Sequence, residues 1–364
     1  MTKMEPIGYH QYLKIDQLLA CQKMRSSEFG HEAHDEHLFI IVHQTYELWF
    51  KQILREFESI RTIMGRAKID ENEMGLIVSR LERVHEIQKL IAQQIDIMET
   101  MTPMDFLEFR DLLYPASGFQ SFQFRLVENM LGLDSSVRMV YNNVSYKNHF
   151  DEEQRKQLEI SEQQTSILEA VQSWLERTPF LKSKEFDFWS EYRKAVVKMF
   201  NEDKDVIRNN PLLGDEQIKI NLEQVEQSEN VFESLFDEKQ FEKLRKDGYW
   251  RLGHKAVLSA LFIHLYRDMP VLHLPYRLLT KLKDIDETLT HWRYRHALMA
   301  KRMLGTKIGT GGSSGAQYLR ESTEKHKIFT DFFQLSTFFI PRSQLPKLPE
   351  ELKRTLDFHY TKTN

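Results

Sequence analysis

Leu38-Phe39-Ile40-Ile41-Val42-His43-Gln44-Thr45-Tyr46-Glu47-Leu48-Trp49-Phe50-Lys51-Gln52-Ile53-Leu54-Arg55-Glu56-Phe57 decides the fold of this chain. Within it Phe39, His43, Tyr46, Phe50, Ile53 and Phe57 recur at steps of three or four, which lays them along one stripe of an α-helix. Ile77, Leu81, Val84, Ile87 and Ile91 repeat the pattern. Proline breaks helix interiors, and none lies between Pro6 and Pro103, Pro115 and Pro179, or Pro275 and Pro341. No alternating run with hairpin signals interrupts these windows. The expected fold is all-α, a bundle of long helices with a pocket. Helices are expected near 12–25, 35–63, 72–100, 119–131, 151–177, 186–201, 216–245, 250–267, 276–304 and 315–337.

The wider composition limits what such a bundle can do. A length of 364 residues suggests about two domains. The stretch from Ser183 to Asp247 is more charged than its surroundings and carries Asn209-Asn210-Pro211. It reads as a small helical insert, 183–247, on one main helical domain formed by 1–182 and 248–364. Apolar residues at 41% suffice for a large core. The 50 basic and 54 acidic side chains leave a net charge of −4, which offers no basic face for nucleic acid. The longest apolar stretches, around Leu38–Val42 and Val257–Leu265, fall far short of the roughly 18 residues of a membrane helix. Met1 to Gly8 lack the apolar core of a signal peptide. Cys21 is the only cysteine, which excludes an internal disulfide and a Cys-rich metal site and suggests a reducing cytoplasm. Any iron here must be held by histidine.

Four constellations carry possible chemistry. His31, His34 and His37 precede the first stripe with Asp35 and Glu36; they offer either a metal site or a plain helix start whose acids complement the dipole. His43 sits inside the apolar stripe one turn after Phe39, so the two can wall a pocket for an aromatic ligand, or His43 can be an ordinary core residue. Phe106 and Arg110, four apart, place a guanidinium beside an aromatic ring, which suits a carboxylate on an apolar molecule; an ion pair with Asp105 or Asp111 is the plainer alternative. His296 lies one turn beyond Trp292 and one before Met299, a setting that fits a haem-iron ligand and equally a core histidine. Between two helical segments, Gly305 to Gly315 hold five of the fourteen glycines with Thr310, Ser313 and Ser314. That segment lacks the features of a phosphate loop and reads as a mobile, donor-rich connection able to close over a ligand.

Several of these stretches together resemble one family. His34-Asp35-Glu36-His37-Leu38-Phe39-Ile40-Ile41-Val42-His43-Gln44-Thr45-Tyr46-Glu47-Leu48-Trp49-Phe50-Lys51 is similar to the tryptophan 2,3-dioxygenase signature. So are Phe106-x-x-Phe109-Arg110-Asp111, Pro115-Ala116-Ser117-Gly118-Phe119-Gln120-Ser121, Trp292-Arg293-Tyr294-Arg295-His296, Gly309-Thr310-Gly311-Gly312-Ser313-Ser314-Gly315 and the early Tyr9-x-x-Tyr12-Leu13. The similarity runs from about residue 7 to residue 348 in the family's order. Ala316-Gln317 depart from it, standing where animal members carry Tyr-His.

The resemblance implies a haem-dependent dioxygenase that inserts both atoms of O2 across the indole C2–C3 bond of L-tryptophan and releases N-formylkynurenine. It implies one haem b per subunit, with His296 as the axial iron ligand and Ser117, Trp292 and Tyr318 about the cofactor. His43 matches the distal histidine that meets the indole N–H. Phe39 and Phe106 match pocket walls, Arg110 the carboxylate partner, and Thr310 the contact to the amino-acid moiety. Tyr9, Tyr12 and Leu13 match a segment that completes a neighbouring subunit's pocket in a homotetramer, a dimer of dimers. No nucleic acid and no membrane enter this expectation. Whether His43 is a base or only orients the ring stays open, since indole N–H is a very weak acid. The competing readings are an oxygenase of the same fold acting on another indole, a non-catalytic haem sensor or helical interaction protein, and a non-haem metal protein using His31, His34 and His37.

Overall fold

The computed structural model describes residues 5–135, 138, 145–179, 187–305, 320, 322–323 and 325–358. Among them every element is an α-helix or a short 3-10 helix. The helices are α1 (Tyr9–Leu13), α2 (Ile15–Leu19), α3 (Arg25–Glu28), α4 (His34–Met64), α5 (Glu71–Met98), α6 (Pro103–Arg110), α7 (Phe122–Leu131), α8 (Glu152–Gln163), α9 (Ile167–Leu175), α10 (Phe188–Arg208), α11 (Asp215–Glu233), α12 (Glu238–Lys246), α13 (His254–Leu265) and α14 (Pro270–Leu304), with Thr330–Gln334 and Glu350–Leu356 beyond. The all-α expectation is met, and the two strongest stripes became α4 and α5 nearly residue for residue. No helix among the described residues is long and apolar enough to cross a membrane.

Local chemistry explains where expected helices break. The segment 12–25 touches three short helices: Lys14 takes a left-handed φ of 53° between α1 and α2, and residues 21–24 are non-helical before α3. The segment 151–177 divides at Gln164, whose backbone is extended, and Ser166 then starts α9 with a reciprocal cap to Glu169. The segment 216–245 divides where Asp237 caps α12 through the Lys239 and Gln240 amides. Of the expected helix 315–337, residues 315–319 lie outside the described residues; residues 327–329 are not helical, and Thr330–Gln334 passes into a 3-10 turn. Helix α14 starts at Pro270 rather than near 276. Proline suits a first helical position, where its missing N–H has no partner to lose. Helix α6 was not among the expected ranges; Thr102 creates it, accepting from the Asp105 amide while Asp105 accepts from the Thr102 amide, with Pro103 as the first helical residue.

The chain divides into two units, 1–56 with 86–164 and 287–326, and 57–85 with 165–286 and 327–364. In the second, α13 is buried on nearly every face, and Phe188 meets Phe262 at 5.0 Å while Phe241 stacks on Trp250 at 5.5 Å. Asp331 accepts the Arg251 and Leu252 amides there, and Asp286 accepts those of Ile328 and Phe329. The segment 183–247 falls in this unit, apart from residues 183–186, which lie outside the described residues. In the first unit, Ala33, Val42, Met98, Met101, Phe109 and Met303 form an apolar cluster. Leu38, Phe39, Tyr46, Phe106 and Met299 pack against it, which gathers α4, α6 and the end of α14 around one place.

Candidate functional site

That place is built from rings at helical spacing. Phe39 and His43, one turn apart on α4, have centroids 4.0 Å apart. Phe39 also meets Phe106 at 5.9 Å and Phe109 at 5.6 Å, both from α6. His43 passes to Tyr46 at 6.1 Å, Tyr46 to Trp292 at 6.1 Å, and Trp292 stacks on His296 at 5.7 Å with the planes 17° apart. The structure therefore brings together Phe39, His43, Phe106, Trp292 and His296, residues scattered over more than 250 positions in the sequence.

The two imidazoles are both poised neutral. His43 Nδ1 lies 2.7 Å from the Phe39 carbonyl oxygen. A carbonyl can only accept, so Nδ1 carries the proton and Nε2 presents a bare lone pair. Burial lowers the His43 pKa, against smaller upward pulls from the Phe39 carbonyl and the Glu47 carboxylate. Burial chiefly, and then the electrostatic coupling to His43, which disfavours a proton on both rings at once, bring His296 down to about 4. Among the described residues nothing hydrogen-bonds the His296 ring. A lone, unprotonated imidazole stacked on an indole is the kind of donor that iron takes. Tyr46, its hydroxyl buried, is pushed up to about 12 and stays protonated.

Arg110 ends α6, one turn from Phe106 on the same face. Its side chain is 16% exposed, whereas Asp111, 3.3 Å from Nη1, is 89% exposed. An ion pair with so solvated a partner is weak. Asp105 is engaged in capping α6. Ser117 opens the short turn Gly118–Gln120, its hydroxyl accepting the Phe119 amide and its own amide donating to Gln120. Thr310, Tyr318 and the whole Gly309–Gly315 segment lie outside the described residues. Tyr9, Tyr12 and Leu13 are not brought to the rings; on α1 all three are exposed. Glu36 is turned inward to accept the Arg25 and Ser26 amides, and no three His, Cys, Asp or Glu side chains converge as a metal group among the described residues. The non-haem reading on His31, His34 and His37 therefore finds no support.

Two carboxylates near the rings were not singled out in the sequence. Glu47, one turn beyond His43, accepts from Ser121 Oγ at 2.5 Å and Gln123 Nε2 at 2.9 Å. Its position on the His43 face was the one available signal. Glu128 on α7 is fully buried; Arg125 Nη1 stands at 2.7 Å and Arg293 Nη2 at 2.9 Å, with Arg138 and the His326 ring nearby. Burial alone raises the Glu128 pKa, but Arg125, His326, Arg138 and Arg293 together hold it well below the usual carboxylate range. Arg293 precedes His296 by three residues on α14, so this cluster ties α7 to the turn that carries His296. Neither role could be read from sequence, since Ser121 and Gln123 lie more than 70 positions from Glu47, and Arg293 and His326 more than 160 from Glu128.

Fold and side chains together define an all-helical protein with two neutral imidazoles set among aromatic rings. Comparison places such a chain among known proteins. The family described as tryptophan 2,3-dioxygenase matches residues 2–339. A tryptophan 2,3-dioxygenase of Bdellovibrio bacteriovorus is 53% identical, with 98% of this chain and 100% of the relative covered. Proteins of the same name from Dictyostelium discoideum and Xenopus tropicalis are 47% and 43% identical; they match 98% and 96% of this chain over 89% and 86% of their own length. The chain belongs to the tryptophan 2,3-dioxygenase family.

Proposed function

We propose that this protein is a haem-dependent dioxygenase that opens the indole ring of L-tryptophan, giving N-formylkynurenine. The observation that carries the reading, beside family membership, is the His43 ring. The Nδ1–Phe39 bond leaves its Nε2 lone pair free to accept an indole N–H, and the ring itself packs on Phe39, which in turn meets Phe106. Phe39 and Phe106 offer faces for the indole. Arg110 pairs with the carboxylate through its planar fork, and Thr310 meets the amino-acid moiety. His43 orients the ring; nothing requires it to remove the proton.

The residues present fit a haem. The His296 ring is neutral, without a hydrogen-bond partner among the described residues, and backed by Trp292. His296 would hold the iron, with Ser117, Trp292 and Tyr318 about the macrocycle of one haem b per subunit. Haem, when bound, supplies the dioxygen chemistry. Tryptophan plus O2 equals the product in atoms, so no co-reductant is consumed. Tyr9, Tyr12 and Leu13 complete a neighbouring subunit's pocket in a homotetramer arranged as a dimer of dimers, which accounts for apolar side chains left exposed on α1. The enzyme works in the cytoplasm, and the segment 183–247 is a small helical insert. A visible spectrum and a turnover assay test the reading together. A Soret band with conversion of tryptophan under reducing conditions supports it. A Soret band without conversion of tryptophan or of another indole points to a sensor, and no Soret band in protein supplied with haem overturns it.

A further inference from the structure

We propose that Glu47 is a positioning residue for substrate binding, pinning the turn from Ser117 to Ser121 and the start of α7 to α4 one turn beyond His43. The inference rests on the dioxygenase reading and names what keeps the His43 side of that site in register. Glu47 is the half-buried hub of three bonds to residues more than 70 positions away. Oε1 accepts the Ser121 hydroxyl at 2.5 Å, Oε2 accepts Gln123 Nε2 at 2.9 Å, and the Glu47 carbonyl accepts the same Nε2 at 2.8 Å. Ser121 is also the N-cap of α7, its oxygen accepting the Phe124 amide. The Glu47 carboxylate therefore holds the residue that starts that helix. Upstream, the Ser121 amide returns to the Gly118 carbonyl, and Gln120 is bonded to Ser117. The turn is thus one hydrogen-bonded unit tied to α4 through the Glu47 carboxylate, with Phe119 also stacked on His149.

An anchor of this kind could serve stability alone. Its placement argues for more. Glu47 and His43 share a face of α4, and the carboxylate's charge reaches the His43 ring. Whatever shifts Glu47 shifts the Ser117–Ser121 turn relative to His43 and Phe39. A charged acceptor also bonds about twice as strongly as a neutral one, so glutamine at this position loses part of the anchor while keeping its size.

Haem-loaded wild type, Glu47→Ala, Glu47→Gln, Ser121→Ala and the Glu47→Ala/Ser121→Ala double variant test this. Glu47→Ala should raise the KM for tryptophan roughly tenfold, the equivalent of one charge-assisted bond, with a smaller change in kcat. Glu47→Gln should recover part of the loss. The rise in KM in the double variant should be less than the two single effects combined, because the Glu47–Ser121 bond is shared by both changes, whereas the α7 cap is lost with Ser121 alone. Amide exchange across residues 117–124 should quicken in Glu47→Ala, while haem content, which depends on His296, stays near wild type. An active wild type whose Glu47→Ala variant keeps its KM, even with a lowered Tm, overturns the proposal. Should Glu47→Ala fail to fold, Ser121→Ala and Glu47→Gln with unchanged KM overturn it equally. A wild type that does not turn over tryptophan removes the dioxygenase reading first, and this role with it.

Discussion

Arg110 shows how much a single side chain decides. Its side chain is mostly covered, one helical turn from Phe106 on α6, while its neighbour Asp111 faces water. If it holds the substrate carboxylate, Arg110→Lys keeps the charge and loses the fork. The loss of about 1.5–3 kcal/mol predicts roughly a tenfold to hundredfold fall in kcat/KM for tryptophan. Tryptamine, without a carboxylate, should be a poor substrate of the wild type and lose little further. Equal fractional losses on the two substrates would remove Arg110 from the site. His296 makes a complementary case. His296→Ala should purify with little haem yet keep its helical circular dichroism, since alanine offers iron no donor. Full haem occupancy with an unchanged ferric spectrum would shift the ligand role to another residue. Both residues stood out in the sequence through helical spacing to an aromatic neighbour. The proton position on His43 did not, because it depends on how close the ring comes to the Phe39 carbonyl. Glu47 stayed silent because its partners lie far along the chain, and Glu128 because Arg293 and His326, which complete its cluster, do so too.

At the scale of elements, periodicity carried the long helices and failed at the joints. Stripes such as Phe39 to Phe57 extend over many turns, so the signal adds up. A break at Lys14 or Gln164 is one residue in one backbone state, which a stripe cannot report. The joint between α7 and α14 depends on Glu128. Its carboxylate faces three guanidinium groups and the His326 ring in the core. Glu128→Gln leaves those cations without their counter-charge and should cost about 3–5 kcal/mol of stability. The pH sign follows from the lowered pKa. The carboxylate is ionised in the folded protein at pH values where the unfolded chain, near 4.5, begins to take up protons. Its contribution is therefore complete above that value and is lost as pH falls through the folded pKa. The Tm gap between wild type and Glu128→Gln should be full at neutral pH and narrow on acidification below about 4.5. A gap that is absent at neutral pH, or widens in acid, would contradict the assigned ion cluster.

For the whole molecule, the exposed α1 residues make the first demand. Tyr9 and Tyr12 are both at least 70% exposed on a helix of five residues, too short to be stable by itself. If they seat on another subunit, deleting residues 1–14 should raise the KM for tryptophan while haem binding holds. A truncated protein with wild-type kinetics would refute the shared pocket. The expectation of a tetramer rests on family resemblance alone, as composition and periodicity describe one chain at a time. The central claim concerns the reaction itself and is tested most directly with labelled oxygen. Haem-loaded, reduced protein should be given tryptophan and 18O2 in unlabelled water, and the product weighed by mass spectrometry at early times. The account predicts N-formylkynurenine carrying both labels from one O2 molecule. A product carrying a single label from the outset, or no ring-opened product, would contradict it.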